Sequence, residues 1–124
     1  MLISDVPVLA AHHTPNAPAL IFDGRSTTYA ELRDRCWRLS NALSGVGRPG
    51  DRVAILAENC PAYVDCYYGV PGAGMALTLL NYRLTARELA YIIGDAAPSV
   101  LVVEAKHLPT IQSIRDDLPS VRLI

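Results

Sequence analysis

The sequence predicts an α/β protein: a doubly wound, mostly parallel half-sheet with helices on both faces and a small hairpin near the N-terminus. Helix and strand patterns alternate along the 124 residues, which is typical of a layered α/β unit. Residues 53–57 are continuously apolar, as expected for a parallel strand that helices cover on both faces. Further strands are predicted at residues 75–80 and 100–104.

The hairpin is predicted from two short strand patterns that flank a turn. Residues 19–22 form an apolar strand, and Asp23-Gly24 is a strong turn signal. A second short strand is expected at residues 26–28.

A capping box predicts the start of the first long helix. The Thr28 hydroxyl and the Glu31 carboxylate can each accept a hydrogen bond from the other residue's backbone amide. Gly45, Gly47 and the Pro49-Gly50 pair are expected to stop this helix. Apolar residues recur at steps of three or four, so one stripe should face a core. The stripe consists of Leu32, Cys36, Leu39, Leu43 and Val46.

The next helix is predicted to begin at Pro61, because proline suits a first helical position. Asn59 or Cys60 would be its N-cap, and the helix should run to about Val70. Pro71 and Gly72 are then expected to end it.

A second capping box, Thr85 with Glu88, predicts another helix, which Pro98 closes. Its buried face is predicted to be Leu89, Ile92, Ile93 and Ala96. A last amphipathic helix is expected at residues 109–117, followed by a strand at 121–124. The count is four parallel strands joined by right-handed helical crossovers, in addition to the hairpin.

Composition excludes several classes of function. With 51% hydrophobic residues the chain can build a core, so disorder is not expected. The net charge of −1, from 11 basic and 12 acidic residues, gives no long-range field to attract nucleic acid or an anionic membrane. No apolar run approaches the roughly 18 residues that span a bilayer. The N-terminus lacks the basic region of a secretory signal, so a cytoplasmic location is expected.

The three cysteines, Cys36, Cys60 and Cys66, show no metal-ligand spacing and no pairing pattern. We expect reduced thiols that pack as small hydrophobic groups. A catalytic thiol would need a nearby base, and the sequence does not bring any histidine beside a cysteine.

Two glycine-bearing segments resemble nucleotide-binding loops without completing one. Residues 45–52 have two suitably separated glycines, but Asp51-Arg52 stands where a phosphate loop needs Lys-Ser/Thr. We interpret this segment as a helix stop followed by a tight turn. Residues 69–74 carry dinucleotide-type glycines in reversed spacing at the end of a helix, and we expect them to allow close packing of that helix against a strand.

Aromatic and histidine side chains give weaker candidates. Tyr63, Tyr67 and Tyr68, with Trp37 on the earlier helix, form either a ligand-stacking surface or a packing cluster. Tyr82-Arg83 follows a predicted strand and either faces a cleft or, through Arg83, ties down its loop by bonding carbonyls. His12-His13 is interpreted as an exposed helix end, because two adjacent histidines alone bind metal weakly.

Five motifs in order resemble the adenylate-forming enzymes, and in particular the AMP-forming acyl-CoA synthetases. They include Thr-Tyr-x-Glu-Leu at residues 28–32, Gly-Asp-Arg-Val-Ala at 50–54 and Asn-Cys-Pro-Ala-Tyr at 59–63. The opening strand at 15–22 and the block at 72–84 complete the set. Residues 84–104 resemble fatty-acid or medium-chain acid:CoA ligases.

The resemblance implies that residues 1–124 are the N-terminal, incomplete part of the large domain of an AMP-dependent synthetase/ligase. In that family later motifs bind ATP, Mg and CoA, activate a carboxylic acid as an acyl-adenylate and transfer it to CoA. The phosphate loop, the later motifs and the mobile C-terminal domain with its lysine are not in this sequence. We therefore expect no catalytic, cofactor-binding or metal site, and no turnover by the chain alone.

An incomplete domain of this kind also suggests partners. The chain is expected to self-associate, and an alternative role is a non-catalytic interaction module or split-enzyme partner of the remaining enzyme or a full-length relative.

The sequence departs from the family motifs at two places. Cys60 replaces a serine that would cap its helix better, at a cost of about 1 kcal/mol. Leu79-Leu80 stands where many members have Val-Pro, with no expected effect on function.

Overall fold

The computed structural model describes residues 1–124 and contains one hairpin, one three-stranded sheet and five α-helices. The helices are α1 (Val6–His13), α2 (Tyr29–Ser44), α3 (Pro61–Gly72), α4 (Ala86–Ala96) and α5 (Leu108–Ser113). The strands are β1 (Pro18–Phe22), β2 (Arg25–Thr28), β3 (Arg52–Leu56), β4 (Ala76–Leu80) and β5 (Val100–Val103). Short 3-10 turns occupy Ile3–Asp5, Ala105–His107 and Arg115–Asp117.

The central sheet has the strand order β4-β3-β5, and both pairings are parallel. Alternate side chains of β3 enter two different cores, because successive residues of a strand point to opposite faces. Val53 and Ile55 pack in a core with residues of α2 and α3, whereas Ala54 and Leu56 pack in a core with residues of α4 and α5. The predicted sheet with helices on both faces is therefore confirmed.

The hairpin is also confirmed, with β1 and β2 antiparallel. Asp23 and Gly24 both have positive φ, 50° and 73°, which is the backbone of the tight turn that matches the twist of paired strands.

The prediction of four parallel strands is wrong, because residues 121–124 form only a single bridge between Leu123 and Val100. Two hydrogen bonds hold this segment to β5 and the residue before it: the Arg122 amide donates to the Ser99 carbonyl at 2.8 Å, and the Leu101 amide donates to the Leu123 carbonyl at 2.9 Å. The direction is parallel, as predicted, but the contact is too short to count as a strand.

Helix α2 begins at the predicted capping box. The Glu31 amide donates to the Thr28 hydroxyl, and the Thr28 amide donates to the Glu31 carboxylate at 2.8 Å. Leu32, Cys36 and Leu43 are buried as expected. Val46 does not belong to the stripe: the helix ends at Ser44, and Val46 is 42% exposed in the following turn.

Helix α3 begins at Pro61, as predicted, with Cys60 as an N-cap whose side chain makes no capping hydrogen bond. The predicted end was wrong, because the helix continues through Pro71 to Gly72. A proline in the final turn removes one hydrogen bond of the helix and leaves the end intact, since the Ala73 amide bonds the carbonyls of Gly69 and Val70.

The second capping box, Thr85 with Glu88, starts α4 as predicted, and Leu89 and Ile93 are buried. Helix α5 is shorter than predicted because Ile114 leaves the helical conformation, with φ −116° and ψ 12°, and a separate 3-10 turn follows. None of the five helices combines the length and the apolar character that crossing a bilayer requires.

Candidate functional site

The carboxyl ends of β3, β4 and β5 meet at one edge of the sheet, which is where open α/β sheets usually bind ligands. The residues that follow these strands are rich in charged and aromatic side chains. We call this group the carboxyl-edge cluster: Glu58, Tyr82, Arg83, Glu104, Lys106 and His107.

Glu104 is at the centre of the carboxyl-edge cluster. Its Oε2 accepts a hydrogen bond from the Glu58 amide at 2.8 Å, so the loop after β5 is tied to the loop after β3. The Lys106 ammonium lies 3.5 Å from Oε1 of Glu104 and also pairs with the Glu58 carboxylate. The hydrogen bond from the Glu58 amide lowers the pKa of Glu104, and the Lys106 charge lowers it further. The same pairing, led by Glu58, raises the pKa of Lys106.

His107 and Tyr82 join the loops that follow β5 and β4. Their ring centroids are 5.8 Å apart, and Nε2 of His107 is buried without a hydrogen-bond partner, 3.8 Å from Oε2 of Glu104. The Arg83 guanidinium lies over the Tyr82 ring, 5.6 Å from its centroid.

Arg83 follows β4 at the carboxyl end of the strand, as the sequence predicts. Its backbone amide donates to Oδ1 of Asn81 at 3.0 Å, which holds the turn, but its guanidinium bonds no carbonyl and forms no ion pair. The alternative in which Arg83 ties down the loop through carbonyls is therefore wrong. Lys106 pairs with both Glu58 and Glu104, and these three side chains together carry a net charge of −1. Arg83 is the cation of the carboxyl-edge cluster that forms no ion pair.

The two glycine segments do not form phosphate loops. In residues 45–52, the Asp51 carboxylate accepts a hydrogen bond from the Arg48 amide at 2.9 Å, so a negative charge occupies the loop. In residues 69–74, a Cβ on Gly69 would lie 2.8 Å from Leu39 and one on Gly72 would lie 2.5 Å from Ser40. Both glycines thus allow close packing, as predicted, but against helix α2 and not against a strand.

The aromatic candidates separate into two pairs. Tyr63 and Tyr67 lie with their ring centroids 5.6 Å apart and their planes inclined by 49°, and Tyr63 packs against the core beneath α3. Tyr68 and Trp37 line a different feature, a cavity of about 490 Å³ between the N-terminal segment, α2 and α3. The Arg33 guanidinium covers the Trp37 ring at 5.0 Å.

The histidine and cysteine predictions are settled by burial. His12 and His13 are both exposed at the end of α1, as predicted. Cys36 and Cys66 are buried thiols, which confirms their packing role, whereas Cys60 is only partly buried. No three His, Cys, Asp or Glu side chains are grouped so that they could hold a metal ion.

Sequence reasoning missed Glu58, Glu104, Lys106 and His107 as members of one cluster. A usable signal was present, because Glu104 ends a predicted strand, the other three follow one within a few positions, and parallel strands bring their carboxyl ends together. The sequence does not reveal the strand order, which makes β3 and β5 neighbours.

The sequence matches a known protein family over nearly its whole length. The profile of the family described as AMP-binding enzyme matches residues 9–124. The chain is 40% identical over 109 residues to a feruloyl-CoA synthase of an Amycolatopsis species, covering 87% of this chain and 22% of that protein. It is 40% identical over 97 residues to the long-chain-fatty-acid–CoA ligase of Thermus thermophilus, covering 77% of this chain and 18% of the ligase.

The fold itself matches solved structures. The N-terminal domain of FACL13 from Mycobacterium tuberculosis superimposes with a TM-score of 0.92 at 28% identity, covering 98% of this chain and 32% of that domain. The chain therefore spans about a fifth of the length of the two curated relatives and a third of this solved domain.

Proposed function

Because the chain belongs to the AMP-binding enzyme family, we propose that it is the N-terminal scaffold part of the large domain of an AMP-forming acid:CoA ligase. The match over residues 9–124 carries this proposal, since it includes both capping boxes, all three parallel strands and the carboxyl-edge cluster. In this role the segment positions the loops after β3, β4 and β5 and presents Arg83 to the parts of the enzyme that perform the chemistry.

The proposed scaffold role includes no catalysis by residues 1–124 alone. Two structural observations support it. The loop at residues 45–52 is filled by the Asp51 carboxylate, which would repel a triphosphate, and Gly69 and Gly72 are packed against α2. Neither segment offers a row of free amides beside a lysine.

The complete enzyme would use ATP with Mg, a carboxylic acid and CoA. A fatty acid is the proposed acid, because residues 84–104 resemble fatty-acid or medium-chain ligases and the T. thermophilus relative is named for long-chain fatty acids. The feruloyl-CoA synthase relative makes an aromatic acid the competing substrate class. A cytoplasmic location completes the proposal, in keeping with three unpaired cysteines.

A chimera tests the proposal. The residues of full-length FACL13 that match this chain would be replaced by residues 1–124, and acyl-CoA formation would be followed with fatty acids and with ferulate. An active chimera supports the scaffold role, and its acid preference shows whether this segment influences the substrate class.

A second test measures ATP binding and catalysis by the isolated chain. We expect calorimetry to detect no ATP-Mg binding and radiolabel exchange to detect no acid-dependent formation of ATP from pyrophosphate. Micromolar ATP binding, or turnover with any acid and CoA, would overturn the proposal that residues 1–124 are catalytically incomplete.

One observation favours a second role, a non-catalytic interaction module or split-enzyme partner. An entirely apolar groove lies between α2 and β5, and such a surface on a small protein commonly marks a contact with another polypeptide. The same surface would promote self-association of the isolated chain. Co-purification with a full-length relative, as opposed to recovery of the chain alone, distinguishes this role from an inactive isolated segment.

A further inference from the structure

The cavity between the N-terminal segment, α2 and α3 lies apart from the carboxyl-edge cluster, with which it shares no residue. We call it the Trp37 cavity. Its volume of about 490 Å³ falls within the range of small-molecule sites, roughly 300–1,000 Å³. Its lining combines two aromatic side chains, Trp37 and Tyr68, with the polar side chains of Asp5 and Asn41. This mixture is typical of a ligand site, in which apolar surface provides contact area and a few polar groups orient the ligand.

The floor of the Trp37 cavity depends on a residue without a side chain. Gly72 lines the cavity at the end of α3, and a Cβ there would lie 2.5 Å from Oγ of Ser40 and 3.7 Å from Cβ of Ser4. The Ser40 hydroxyl is held in place between the helices, because its Oγ lies 2.7 Å from the Gly69 carbonyl oxygen and 2.9 Å from the Cys36 carbonyl oxygen. A side chain at position 72 would therefore fill the floor of the cavity.

The aromatic side chains of the Trp37 cavity are available to a ligand. Trp37 is 50% exposed, although tryptophan is the largest of the aromatic side chains. The Arg33 guanidinium lies 5.0 Å from the centroid of its ring, so a cation already lies against this indole. The charge of Arg33 is balanced, because its Nη2 lies 2.8 Å from Oδ1 of Asp34. Tyr68, on α3, contributes a second, half-buried ring.

Asp5 gives the Trp37 cavity its charge. Asp5 and Arg33 are the two charged residues of the lining, and Arg33 is paired with Asp34. The Asp5 carboxylate accepts a hydrogen bond from the Leu2 amide at 2.7 Å through Oδ2, but it forms no ion pair. The lining thus carries one unbalanced negative charge beside two aromatic rings.

This chemistry selects a cationic ligand. The reactants of an acid:CoA ligase, namely ATP, a carboxylic acid and CoA, are all anions, and the Asp5 carboxylate would repel each of them. A neutral aromatic molecule would leave Asp5 without an ionic partner. An ammonium group can bond the Asp5 carboxylate while the apolar body that carries it lies against Trp37 and Tyr68, since aromatic faces attract cations.

We propose that the Trp37 cavity binds a small organic ammonium ion, whose nitrogen pairs with the Asp5 carboxylate and whose apolar body packs against Trp37 and Tyr68. The inference goes beyond the proposed ligase role and does not depend on it, because the cavity shares no residue with the carboxyl-edge cluster. In a complete ligase the ammonium ion would be an additional ligand and not one of the anionic reactants.

The first experiment compares three probes that share a phenyl ring and differ in charge. Trp37 is the only tryptophan of the chain, so its fluorescence reports directly on occupation of the cavity. At neutral pH, 2-phenylethylamine is a cation, 2-phenylethanol is neutral and 3-phenylpropanoate is an anion. We expect a saturable fluorescence change with the amine, and a Kd about tenfold or more higher for the alcohol and for the carboxylate, since tenfold corresponds to the modest energy of one charged contact.

The second experiment repeats the titrations with variants of the cavity. Asp5→Asn removes the charge but keeps an oxygen that can accept the Leu2 amide, and it should weaken the amine about tenfold without changing the affinity for the alcohol. Asp116→Asn is the matched control, because Asp116 is an exposed aspartate outside the cavity.

Tyr68→Leu should weaken both the amine and the alcohol, because both probes lose one aromatic face. Tyr91→Leu is its control, since Tyr91 is 77% exposed on α4 and does not line the cavity. Melting temperatures of all variants show whether a change in affinity reflects the cavity or a loss of folding.

Several results would overturn the inference. Equal affinities for the amine and the alcohol would show that the cavity recognises a neutral aromatic molecule, and tighter binding of 3-phenylpropanoate would show that it recognises an acid. An amine affinity that Asp5→Asn leaves unchanged in a folded variant would remove Asp5 from the site. Absence of a saturable fluorescence change with all three probes would mean that the Trp37 cavity binds no ammonium ion of this class.

Discussion

The Asp51 carboxylate lies 2.9 Å from a guanidinium nitrogen of Arg122, although 71 positions separate the two residues in the chain. The same carboxylate accepts hydrogen bonds from the Arg48 amide at 2.9 Å and from the Ser99 hydroxyl at 3.3 Å. Asp51 thus joins the turn before β3, the start of β5 and the segment that bridges to β5.

Asp51→Ala should lower the melting temperature, because it removes one acceptor from three donors in three segments. The Arg48 amide bond, with the Arg122 charge, lowers the pKa of Asp51, so the carboxylate stabilises the fold when ionised. Differential scanning calorimetry at pH 7 measures the effect, and Asp116→Ala is the control because Asp116 is exposed and makes no side-chain hydrogen bond. Equal melting temperatures for the two variants would show that Asp51 does not hold these segments together.

The lowered pKa of Glu104 predicts that the stability of the fold depends on pH. Its pKa is lower in the folded protein than the ordinary 4.5, so its contribution is complete above that value and is lost as pH falls below it. Glu104→Gln should therefore be less stable than the parent at pH 6, and the difference should shrink as pH falls from about 4.5. Urea unfolding at pH 6, 4.5 and 3 gives the comparison. A difference that stays constant to pH 3 would contradict the assignment.

Substitution by alanine should have opposite effects on stability at Gly69 and at Gly94. Gly69→Ala places a Cβ 2.8 Å from Leu39 and 3.1 Å from the Cys36 carbonyl, so it should destabilise the fold by about 1–3 kcal/mol through overpacking. Gly94→Ala lies on the exposed face of α4 with no atom within 4 Å, and should stabilise by about 0.5–1 kcal/mol through helix propensity. Urea unfolding measures both, and effects of equal sign would refute the close α2–α3 contact.

Cys60→Ser should stabilise α3 by about 1 kcal/mol, because a serine hydroxyl can accept a hydrogen bond from the first turn that the Cys60 side chain does not make. Thr85→Ala is the reverse test: it removes an existing cap and should cost about 1 kcal/mol. Thermal unfolding of both variants measures these changes in stability. A destabilised Cys60→Ser would mean that packing of the thiol outweighs capping.

The cysteines should react in two classes. Burial raises the pKa of Cys36 to about 11 and that of Cys66 to about 12, so both stay protonated and shielded at pH 8. Cys60 is partly exposed and should be alkylated first by N-ethylmaleimide. Native mass spectrometry should show three thiols and no bound zinc before labelling. A two-proton loss, or equal labelling rates at all three positions, would contradict the structure.

The sequence alone determined those elements whose causes are local. The capping boxes at Thr28 and Thr85 depend on residues three positions apart, and the strand at β3 follows from its unbroken apolar run. Errors fell at element ends, as for Pro71 within α3, because there a tertiary contact or one lost hydrogen bond decides whether the helix continues.

The tertiary structure decided everything that depends on which strands are neighbours. The order β4-β3-β5 places Glu104 against the amide of Glu58, 46 positions earlier, and leaves the outer edge of β5 with only the bridge to Leu123. Periodicity assigns a residue to a face of its own strand or helix, but it carries no information about the partner of that face. Thus the family motifs and the helix starts can be inferred from the residues themselves, whereas the carboxyl-edge cluster and the apolar groove between α2 and β5 exist only through packing between segments distant in sequence.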